Sequence, residues 1–134
     1  MSAPFVTLAE IEAARDRTAG HVRRSFLDRS PTLSRRLGHP VHLKLEHQQI
    51  TGSFKLRGAT NAVLSLDAEA RAAGLVAVST GNHGRALAHA ARAAGCPVVA
   101  VPHGYNHGRD IGDDSPDAVI DSIAVLARLL PAPA

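Results

Sequence analysis

The order of apolar and polar residues predicts a helix, a turn and a strand in the first third of the chain. Thr7-Leu-Ala-Glu10 has the form of a capping box, so a helix is expected from Leu8 to about Ser25. Ser30-Pro-Thr-Leu33 then indicates an extended turn. Val41-His-Leu-Lys-Leu45 alternates apolar and polar side chains, as a half-buried strand does, and its lysine falls on the polar, solvent-facing side.

The pattern becomes helical after Ser53, which we expect to cap that helix. Apolar side chains then recur at close to 3.6-residue intervals; they are Phe54, Ala59, Ala62, Val63 and Leu66. A short second helix from about Asp67 to Ala73 is expected to stop at Gly74.

Two short apolar runs follow, each of the kind that is buried on both faces of a parallel sheet. The first run, Leu75-Val-Ala-Val78, leads through Ser79-Thr-Gly-Asn-His-Gly84 into an alanine-rich helix that should end near Ala94, with Gly95 as its cap. The second run is Pro97-Val-Val-Ala-Val101. Helix, strand, glycine loop, helix and strand in this order predict an α/β fold built on right-handed βαβ units.

The chain changes character after Pro102. Residues 1–102 carry thirteen Lys and Arg against seven Asp and Glu, whereas residues 103–134 carry two against five. Ser115 and Pro116 have the form of a helix start. The amphipathic helix predicted from there carries the apolar residues Val119, Ile120, Ile123, Leu126 and Leu130. We therefore divide the chain into residues 1–102 and a tail, residues 103–134.

Composition narrows the function classes. A chain of 134 residues makes one modest domain, with a core of Ala, Val and Leu because it has three Phe, one Tyr and no Trp. The arginines are spread over several elements, and no aromatic platform for nucleic acid is visible. The lone Cys96 excludes an internal disulfide and is assigned no redox role, and the loop pair His103 and His107 lacks the pattern of a zinc site. With neither a secretory leader nor a run of about 20 apolar residues, the chain is expected to be cytoplasmic, without membrane or nucleic-acid partners.

Lys55 is the candidate nucleophile. It is one of two lysines, against thirteen arginines, and it follows a Gly-Ser turn where a helix should begin. A lysine amine can lose its proton and attack a carbonyl, whereas arginine stays protonated, and the positive field at a helix start helps a neutral amine persist. These features suit a Schiff-base lysine, although the same position also suits an ordinary surface lysine.

The loop from Ser79 to Gly84 is the candidate ligand site. It lies where a strand is expected to end and a helix to begin, which favours an anion. Ser79 and Thr80 add hydroxyl groups, and Asn82 can orient a polar ring substituent. The loop matches neither the dinucleotide nor the P-loop pattern, and a glycine-rich turn of this kind also has a purely structural explanation.

Two motifs together resemble a known family. Gly52-Ser-Phe-Lys-Leu-Arg-Gly-Ala59 with Ser79-Thr-Gly-Asn-His-Gly84 looks like the paired signature of pyridoxal-phosphate enzymes of the tryptophan-synthase-β fold, in the threonine/serine dehydratase branch. Asn82-His-Gly-Arg-Ala-Leu-Ala88 resembles the hydroxyectoine-utilisation dehydratases most closely. The resemblance covers roughly residues 5–102. It implies that residues 1–102 are the amino-terminal part of such a domain, an incomplete three-layer α/β fragment of the fold type II architecture with parallel βαβ units.

The resemblance also implies a role for each motif residue. Lys55 would hold pyridoxal 5′-phosphate as a Schiff base and move the Cα proton. Phe54 would pack against the pyridine ring, and Asn82 would hydrogen-bond its 3-hydroxyl group. Thr80 would stand where some relatives have a serine that carries a second proton. The substrate carboxylate would lie against four loop residues, namely Ser79, Thr80, Gly81 and His83.

The implied reaction removes the β-hydroxyl group of a serine- or threonine-like amino acid and gives a 2-oxo acid and ammonia. Relatives of this kind bind the cofactor phosphate with a glycine-rich loop from a later half of the chain, and no such loop is evident here. Impaired or absent catalysis is therefore expected, and retention of the cofactor is doubtful. The alternative is a non-catalytic remnant, or a small βαβ module that binds an anion.

The tail resembles a second family. Residues 91–101, Gly104-Tyr-Asn-His-Gly108 and Pro116-Asp-Ala-Val-Ile-Asp121 are similar to the carboxyl end of phosphoglycolate phosphatases of the haloacid-dehalogenase class. The aspartate nucleophile and metal ligands of that class have no counterpart here, so the tail implies no phosphatase activity. A fusion within residues 91–101 and a divergent native tail both remain open. Uncovered sheet edges and helix faces predict a homodimer or aggregates.

Overall fold

A computed structural model of the chain describes residues 5–79, 81–104 and 108–129. Its α-helices are α1 (Leu8–Thr18), α2 (Pro31–Leu37), α3 (Lys55–Leu64), α4 (Ala68–Ala73), α5 (Asn82–Ala93) and α6 (Ile123–Leu129). Its strands are β1 (Leu27–Arg29), β2 (His42–Lys44), β3 (Val99–Ala100) and β4 (Ala118–Val119). Two 3₁₀ turns span Glu46–Gln48 and Ile111–Asp114.

Helix α1 begins at the predicted capping box and ends earlier than predicted. The Thr7 hydroxyl accepts a hydrogen bond from the Glu10 N–H at 3.3 Å, and the Glu10 carboxylate accepts one from the Thr7 N–H at 2.7 Å. The Thr7 hydroxyl also donates to the Glu10 carboxylate at 2.8 Å. The bond from the Thr7 N–H and then the one from its hydroxyl hold the pKa of Glu10 below its usual value. The helix stops at Thr18 instead of near Ser25 because Gly20 takes a left-handed φ of 81°.

The segment after α1 forms a two-stranded antiparallel sheet with α2 between its strands. Strand β1 pairs with β2, and Leu27 lies opposite Lys44. The extended turn predicted at Ser30 is wrong, because Ser30 caps α2 by accepting a hydrogen bond from the Leu33 N–H at 3.3 Å. Pro31 occupies the first turn of the helix, where its missing N–H costs nothing.

The strand predicted at residues 41–45 is confirmed as β2, but it is not half-buried. All three β2 residues are exposed, as are those of β1, so neither face of this small sheet is covered among the described residues. Lys44 is exposed, as predicted, and its amine donates a hydrogen bond to the Ser25 carbonyl at 2.6 Å.

The core lies between α3 and α5, with α1 packed against α3. Leu56 and Val63 of α3 are fully buried. The predicted core of small aliphatic residues is confirmed, because the other members of this buried cluster are Ala59, Ala86 and Ala90. Alanine side chains let the two helices approach closely, which fixes the start of α3 relative to the start of α5.

Of two predictions about helix ends, one is confirmed and one is wrong. The predicted helix from Asp67 is confirmed as α4: the Asp67 carboxylate accepts a hydrogen bond from the Ala70 N–H at 2.8 Å, and Gly74 ends the helix. The predicted cap at Ser53 is wrong. Helix α3 begins at Lys55 without a side-chain cap, and the buried Ser53 hydroxyl has no hydrogen-bond partner among the described residues.

The predicted strand at residues 75–78 does not form. Val76 is 74% exposed and Val78 is 92% exposed, and within the described ranges no strand pairs with this segment. An apolar run becomes a buried strand only when neighbouring strands supply hydrogen bonds and cover both of its faces. The segment instead leads as irregular backbone from α4 into the glycine loop.

The second predicted strand is confirmed as β3, which pairs in parallel with β4, but the predicted burial on both faces is wrong, because Val99 is 40% exposed. The helix predicted from Pro116 forms only from Ile123 onward, as α6, and its predicted start is wrong. Asp117 directs the chain into β4 instead: its N–H donates to the Val98 carbonyl at 2.8 Å, and its carboxylate accepts from the Val98 N–H at 2.6 Å. Ser115 has a positive φ of 51° instead of the extended backbone of an N-cap. The boundary that we place at residue 102 falls between β3 and β4 and stays a prediction.

Candidate functional site

A pocket of about 670 Å³ lies beside the start of α3 and the start of α5. Its volume falls within the range of roughly 300–1,000 Å³ that is usual for small-molecule sites. Its lining is mainly apolar and consists of Phe54, Lys55, Gly58, Ala59, Ala62, Val76, Ala77, Val78, His83 and Leu87. The pocket therefore places an amine and an imidazole beside mainly apolar side chains, several of which are themselves exposed.

Lys55 is the first residue of α3 and lines this pocket, whereas the other lysine, Lys44, lies on β2. The Lys55 amine stands 5.1 Å from the centroid of the Phe54 ring. A cation at this distance from an aromatic face is attracted by the ring, by roughly 0.5–1 kcal/mol at an exposed site. Phe54 is itself 59% exposed, so its ring is available as a flat apolar surface beside the amine.

The glycine loop is built around Ser79. Its hydroxyl oxygen accepts hydrogen bonds from the Gly84 N–H at 3.0 Å and from the Gly81 N–H at 3.3 Å. A Cβ atom at Gly84 would lie 2.6 Å from the Ser79 carbonyl oxygen, closer than such atoms approach. The loop can therefore close onto α5 only with glycine at position 84.

The loop ends at the amino terminus of α5, a helix of twelve residues. Gly81 is extended and provides no side-chain cap, and the Ser79 hydroxyl binds only the Gly84 N–H of the first turn, so the N–H groups of Asn82 and His83 have no side-chain partner among the described residues. Free N–H groups and the positive end of the helix dipole favour an anion there. His83 lies in the first turn of α5 and lines the pocket.

The structure brings together some of the predicted site residues. Lys55, Phe54 and His83 line the same pocket. The loop residues Ser79, Gly81 and Asn82 are exposed next to it without belonging to its lining. Thr80 lies outside the described residues. The roles assigned to all of these residues stay predictions.

Sequence reasoning did not single out the apolar wall of the pocket. Val76 and Val78 were predicted to be buried in a sheet, and Leu87 was assigned only to the helix after the loop. The positions of these three residues in the sequence could have identified them. The segment before the glycine loop and the first two turns of α5 must flank any ligand that the loop binds.

Sequence reasoning also missed an ion pair beside the first turn of α3. The Arg57 guanidinium donates two hydrogen bonds to the Glu46 carboxylate, from Nε to Oε2 at 2.9 Å and from Nη2 to Oε1 at 2.8 Å. The Ser25 hydroxyl donates a third to Oε1 at 2.6 Å. The hydrogen bonds from Arg57 are the chief reason that the pKa of Glu46 is lowered to about 2.

The structure also bears on metal binding and on membrane-spanning helices. Within the part of the chain that the structure describes, no group of three or more His, Cys, Asp or Glu side chains could hold a metal ion, and His107 lies outside that part. Among the same residues, no helix is long and apolar enough to cross a membrane.

Comparison with known proteins identifies the family. The family described as pyridoxal-phosphate dependent enzyme matches residues 18–116, more than half of the chain and all of the pocket lining. The chain belongs to this family. The predicted membership in the pyridoxal-phosphate-dependent enzymes is thereby confirmed.

Individual members of the family agree with this assignment. A protein of Sinorhizobium fredii provisionally named a threonine dehydratase is 57% identical over 90 residues, which are 67% of this chain and 27% of that protein. The L-threonine ammonia-lyase of Thermotoga maritima is 41% identical over 101 residues, which are 75% of this chain and 25% of that enzyme.

A solved structure supports the fold. The crystal structure of serine racemase from Dictyostelium discoideum shares 38% sequence identity and a TM-score of 0.67, over 72% of this chain and 31% of that one. The predicted fold class is confirmed as a mixed α/β fold that matches fold type II pyridoxal-phosphate enzymes over part of their length. The chain spans about a quarter to a third of the length of these relatives.

Proposed function

We propose that this chain carries the amino-terminal part of the active site of a pyridoxal-phosphate-dependent dehydratase that acts on a serine- or threonine-like hydroxy amino acid. The observation that carries the proposal is the position of Lys55, whose amine lines an apolar pocket of about 670 Å³ beside an aromatic ring. A dehydratase of this kind releases a 2-oxo acid and ammonia.

The residues of the pocket fit pyridoxal phosphate. Lys55 offers the amine that its aldehyde requires, and Phe54 offers an exposed aromatic face 5.1 Å from that amine for the pyridine ring. Asn82, at the first position of α5, would hydrogen-bond the ring hydroxyl. When bound, the cofactor withdraws electrons and stabilises negative charge at the substrate Cα atom.

The chain's own residues would then handle the proton and the carboxylate. The free Lys55 amine would accept the proton from Cα as that bond breaks. The N–H groups at the start of α5, with Ser79, Thr80, Gly81 and His83, would bind the substrate carboxylate. The apolar side chains of Val76, Val78 and Leu87 would border the bound cofactor beside the amine.

The overall reaction balances without an oxidant. The Cα–H bond would break as its proton passes to Lys55, and the Cβ–O bond would break as the hydroxyl takes a proton from the resulting Lys55 ammonium group and leaves as water. The resulting enamine becomes an imine, which water hydrolyses to the 2-oxo acid and ammonia. Thr80 is proposed as the second proton carrier on the face opposite Lys55.

Covalent trapping tests the lysine. Purified protein is incubated with pyridoxal 5′-phosphate and reduced with borohydride, and the modified peptides are identified by mass spectrometry. We expect modification mainly at Lys55, together with visible absorbance that disappears in Lys55→Arg and persists in the matched variant Lys44→Arg. Equal modification of Lys44 and Lys55 would overturn the assignment of the lysine.

Turnover is a separate test, since the chain spans a quarter to a third of its relatives. Formation of 2-oxo acid from L-serine or L-threonine is followed with a coupled dehydrogenase in the wild type and in Lys55→Arg. Activity that is lost only in Lys55→Arg supports the dehydratase. If Lys55 is modified but no turnover is measured, the proposal that this chain catalyses the reaction fails, whereas the proposal that it binds the cofactor stands.

A second candidate function is anion binding without catalysis. The loop that Ser79 organises in front of α5 favours it, because this geometry needs only backbone N–H groups. Pyridoxine 5′-phosphate, which lacks the aldehyde, separates the two candidates in calorimetric titrations. Equal affinity for pyridoxine and pyridoxal phosphates favours the anion-binding module, whereas preference for the aldehyde favours the lysine chemistry.

A further inference from the structure

Three segments meet beside the first turn of α3, on the side away from the pocket lining. They are residues 23–25, the 3₁₀ turn Glu46–Gln48 with Gln49, and Arg57. We call this group the Glu46 cluster. It contains none of the residues that line the pocket.

The centre of the cluster is the bidentate pair between Glu46 and Arg57. The side chain of Glu46 is 18% exposed and that of Arg57 is 38% exposed, so the pair is partly shielded from water. Two parallel hydrogen bonds of this kind fix direction as well as distance. The Ser25 hydroxyl, which donates to the same carboxylate, adds a contact from a third segment.

Backbone contacts extend the cluster. The buried Gln49 side chain accepts from the Arg23 N–H at 2.7 Å and donates to the Arg23 carbonyl at 2.8 Å. Arg57 donates to the same carbonyl at 3.1 Å. Since both side chains hold one peptide unit, residues 23–25 form a fixed support for the turn and for α3.

The pair between Glu46 and Arg57 closes a loop of the chain that carries Phe54 and Lys55. Lys55 and Arg57 are two residues apart on α3, so their side chains point to different sides of the helix, one to the pocket and one to the cluster. Arg57 therefore sets the rotation of this turn about the helix axis.

The first turn of α3 has no capping side chain to hold it. Phe54, before the helix, is helical in backbone angles and makes no side-chain cap. Gly52 in the same loop has a φ of 77°, a left-handed conformation that favours glycine. The ion pair supplies the tether that a cap would otherwise supply.

We propose that Glu46, acting through Arg57, is a positioning residue for Lys55. It keeps the Lys55 amine directed into the pocket beside Phe54, and it touches neither substrate nor cofactor. This proposal rests on the proposed function for the chemical role of Lys55. The restraint on the loop that carries Lys55 does not depend on that function, because it follows from the contacts of the Glu46 cluster.

The test compares Glu46→Gln with Glu12→Gln, which removes the same charge from an exposed position of α1. The readout is the ratio of Lys55 to Lys44 modification by pyridoxal 5′-phosphate and borohydride, at a temperature where circular dichroism shows every variant folded. We expect the ratio to fall about tenfold in Glu46→Gln, the size of a lost charge-assisted bond. It should stay unchanged in Glu12→Gln.

A double variant shows whether the effect passes through Arg57. Arg57→Gln should lower the ratio as Glu46→Gln does, and the double variant should lower it no further, because both changes break one pair. Additive losses would overturn the route through Arg57. A variant Glu46→Gln that loses thermal stability but keeps the wild-type ratio would reduce the cluster to a purely structural role and overturn the proposal.

Two further measurements keep the test decisive. If Glu46→Gln does not fold, Ser25→Ala removes one donor and leaves the ion pair intact, so a smaller fall in the ratio is expected and an unchanged ratio counts against the proposal. If the wild type does not favour Lys55 at all, the proposed function fails. Amide hydrogen exchange of residues 50–58 then tests the restraint alone: faster exchange confined to this loop in Glu46→Gln supports it, and unchanged exchange overturns it.

Discussion

The Lys55 amine lies 5.1 Å from the centre of the Phe54 ring, and both side chains border the same pocket. Neighbours in sequence at the start of a helix thus present a cation and an aromatic face to one space. This pairing is the basis of the first prediction.

Replacement of Phe54 should weaken cofactor attachment without weakening the fold. Phe54→Leu removes the aromatic face but keeps an apolar side chain at a position that is 59% exposed. We expect a loss of pyridoxal-phosphate affinity of about tenfold or less, as one cation–π or stacking contact supplies, with a change in unfolding free energy of about 0.5 kcal/mol or less. Titration by absorbance and denaturant melts measure the two quantities. Phe26→Leu, at a phenylalanine that is 68% exposed and does not line the pocket, should change neither.

Gly84→Ala should disrupt the glycine loop. The new Cβ atom would lie 2.6 Å from the Ser79 carbonyl oxygen, so the loop must move and the bonds to the Ser79 hydroxyl must change. We expect destabilisation of about 1–3 kcal/mol and loss of anion binding. Gly58→Ala is the contrasting control for stability, because it lies inside α3 with open space around its position, and it should stabilise by roughly 0.5–1 kcal/mol. Chemical denaturation compares them, and a neutral Gly84→Ala would contradict the close approach.

Acid should weaken the fold through Glu46. Its pKa is lowered from 4.5 to about 2, so the folded state binds this proton more weakly than the unfolded state does. The stability that it contributes is fully present above about pH 4.5 and is lost as the pH falls through 2. Denaturant melts between pH 7 and pH 2 should therefore show a shallower acid loss in Glu46→Gln than in the wild type. Equal slopes would argue against a depressed pKa, and Glu12→Gln provides the control for charge.

The exposed valines before the glycine loop should promote self-association. Val76 is 74% exposed and Val78 is 92% exposed, and both border the pocket. Exposed apolar groups of this kind favour contacts between molecules. The double variant Val76→Asn, Val78→Asn should sediment as a smaller species than the wild type at the same concentration. Val6→Asn changes an equally exposed valine elsewhere and should have less effect; a wild type that sediments as a monomer at all concentrations would contradict the prediction.

The local signals were reliable where a helix end depends on its own residues. The capping box at Thr7, the start of α4 near Asp67 and its end at Gly74 need no information from distant parts of the chain. They were correctly predicted for this reason. Ser30 shows the limit of such reasoning, because a Ser-Pro pair starts a helix as readily as a turn, and the following residues decide between them.

The strands depended on distant partners and were harder to predict. Residues 75–78 have the composition of a buried strand but lack a paired neighbour among the described residues. Residues 118–119 have the periodicity of a helix but pair with β3, because Asp117 bonds to Val98. The local pattern of apolar and polar residues predicts neither structure, because hydrogen bonds between distant segments determine where strands form.

The candidate site was predictable as residue types and not as geometry. Lys55, Phe54 and His83 were selected from two motifs, and they line one pocket because α3 and α5 pack through alanines. The Glu46 cluster could not be predicted from the sequence. Glu46 and Arg57 are eleven residues apart, and they form an ion pair only because the chain turns between them.

The parallel pairing of β3 with β4 limits where a further strand can add to β3. A strand has two hydrogen-bonding edges, and the bonds of Val98 and Ala100 to Asp117 and Ile120 occupy one edge of β3. Any further strand, from this chain or from a second polypeptide, can join β3 only at its opposite edge or must compete with residues 117–120 for the first one. Among the described residues, the tail therefore covers one edge of β3 and leaves the opposite edge open.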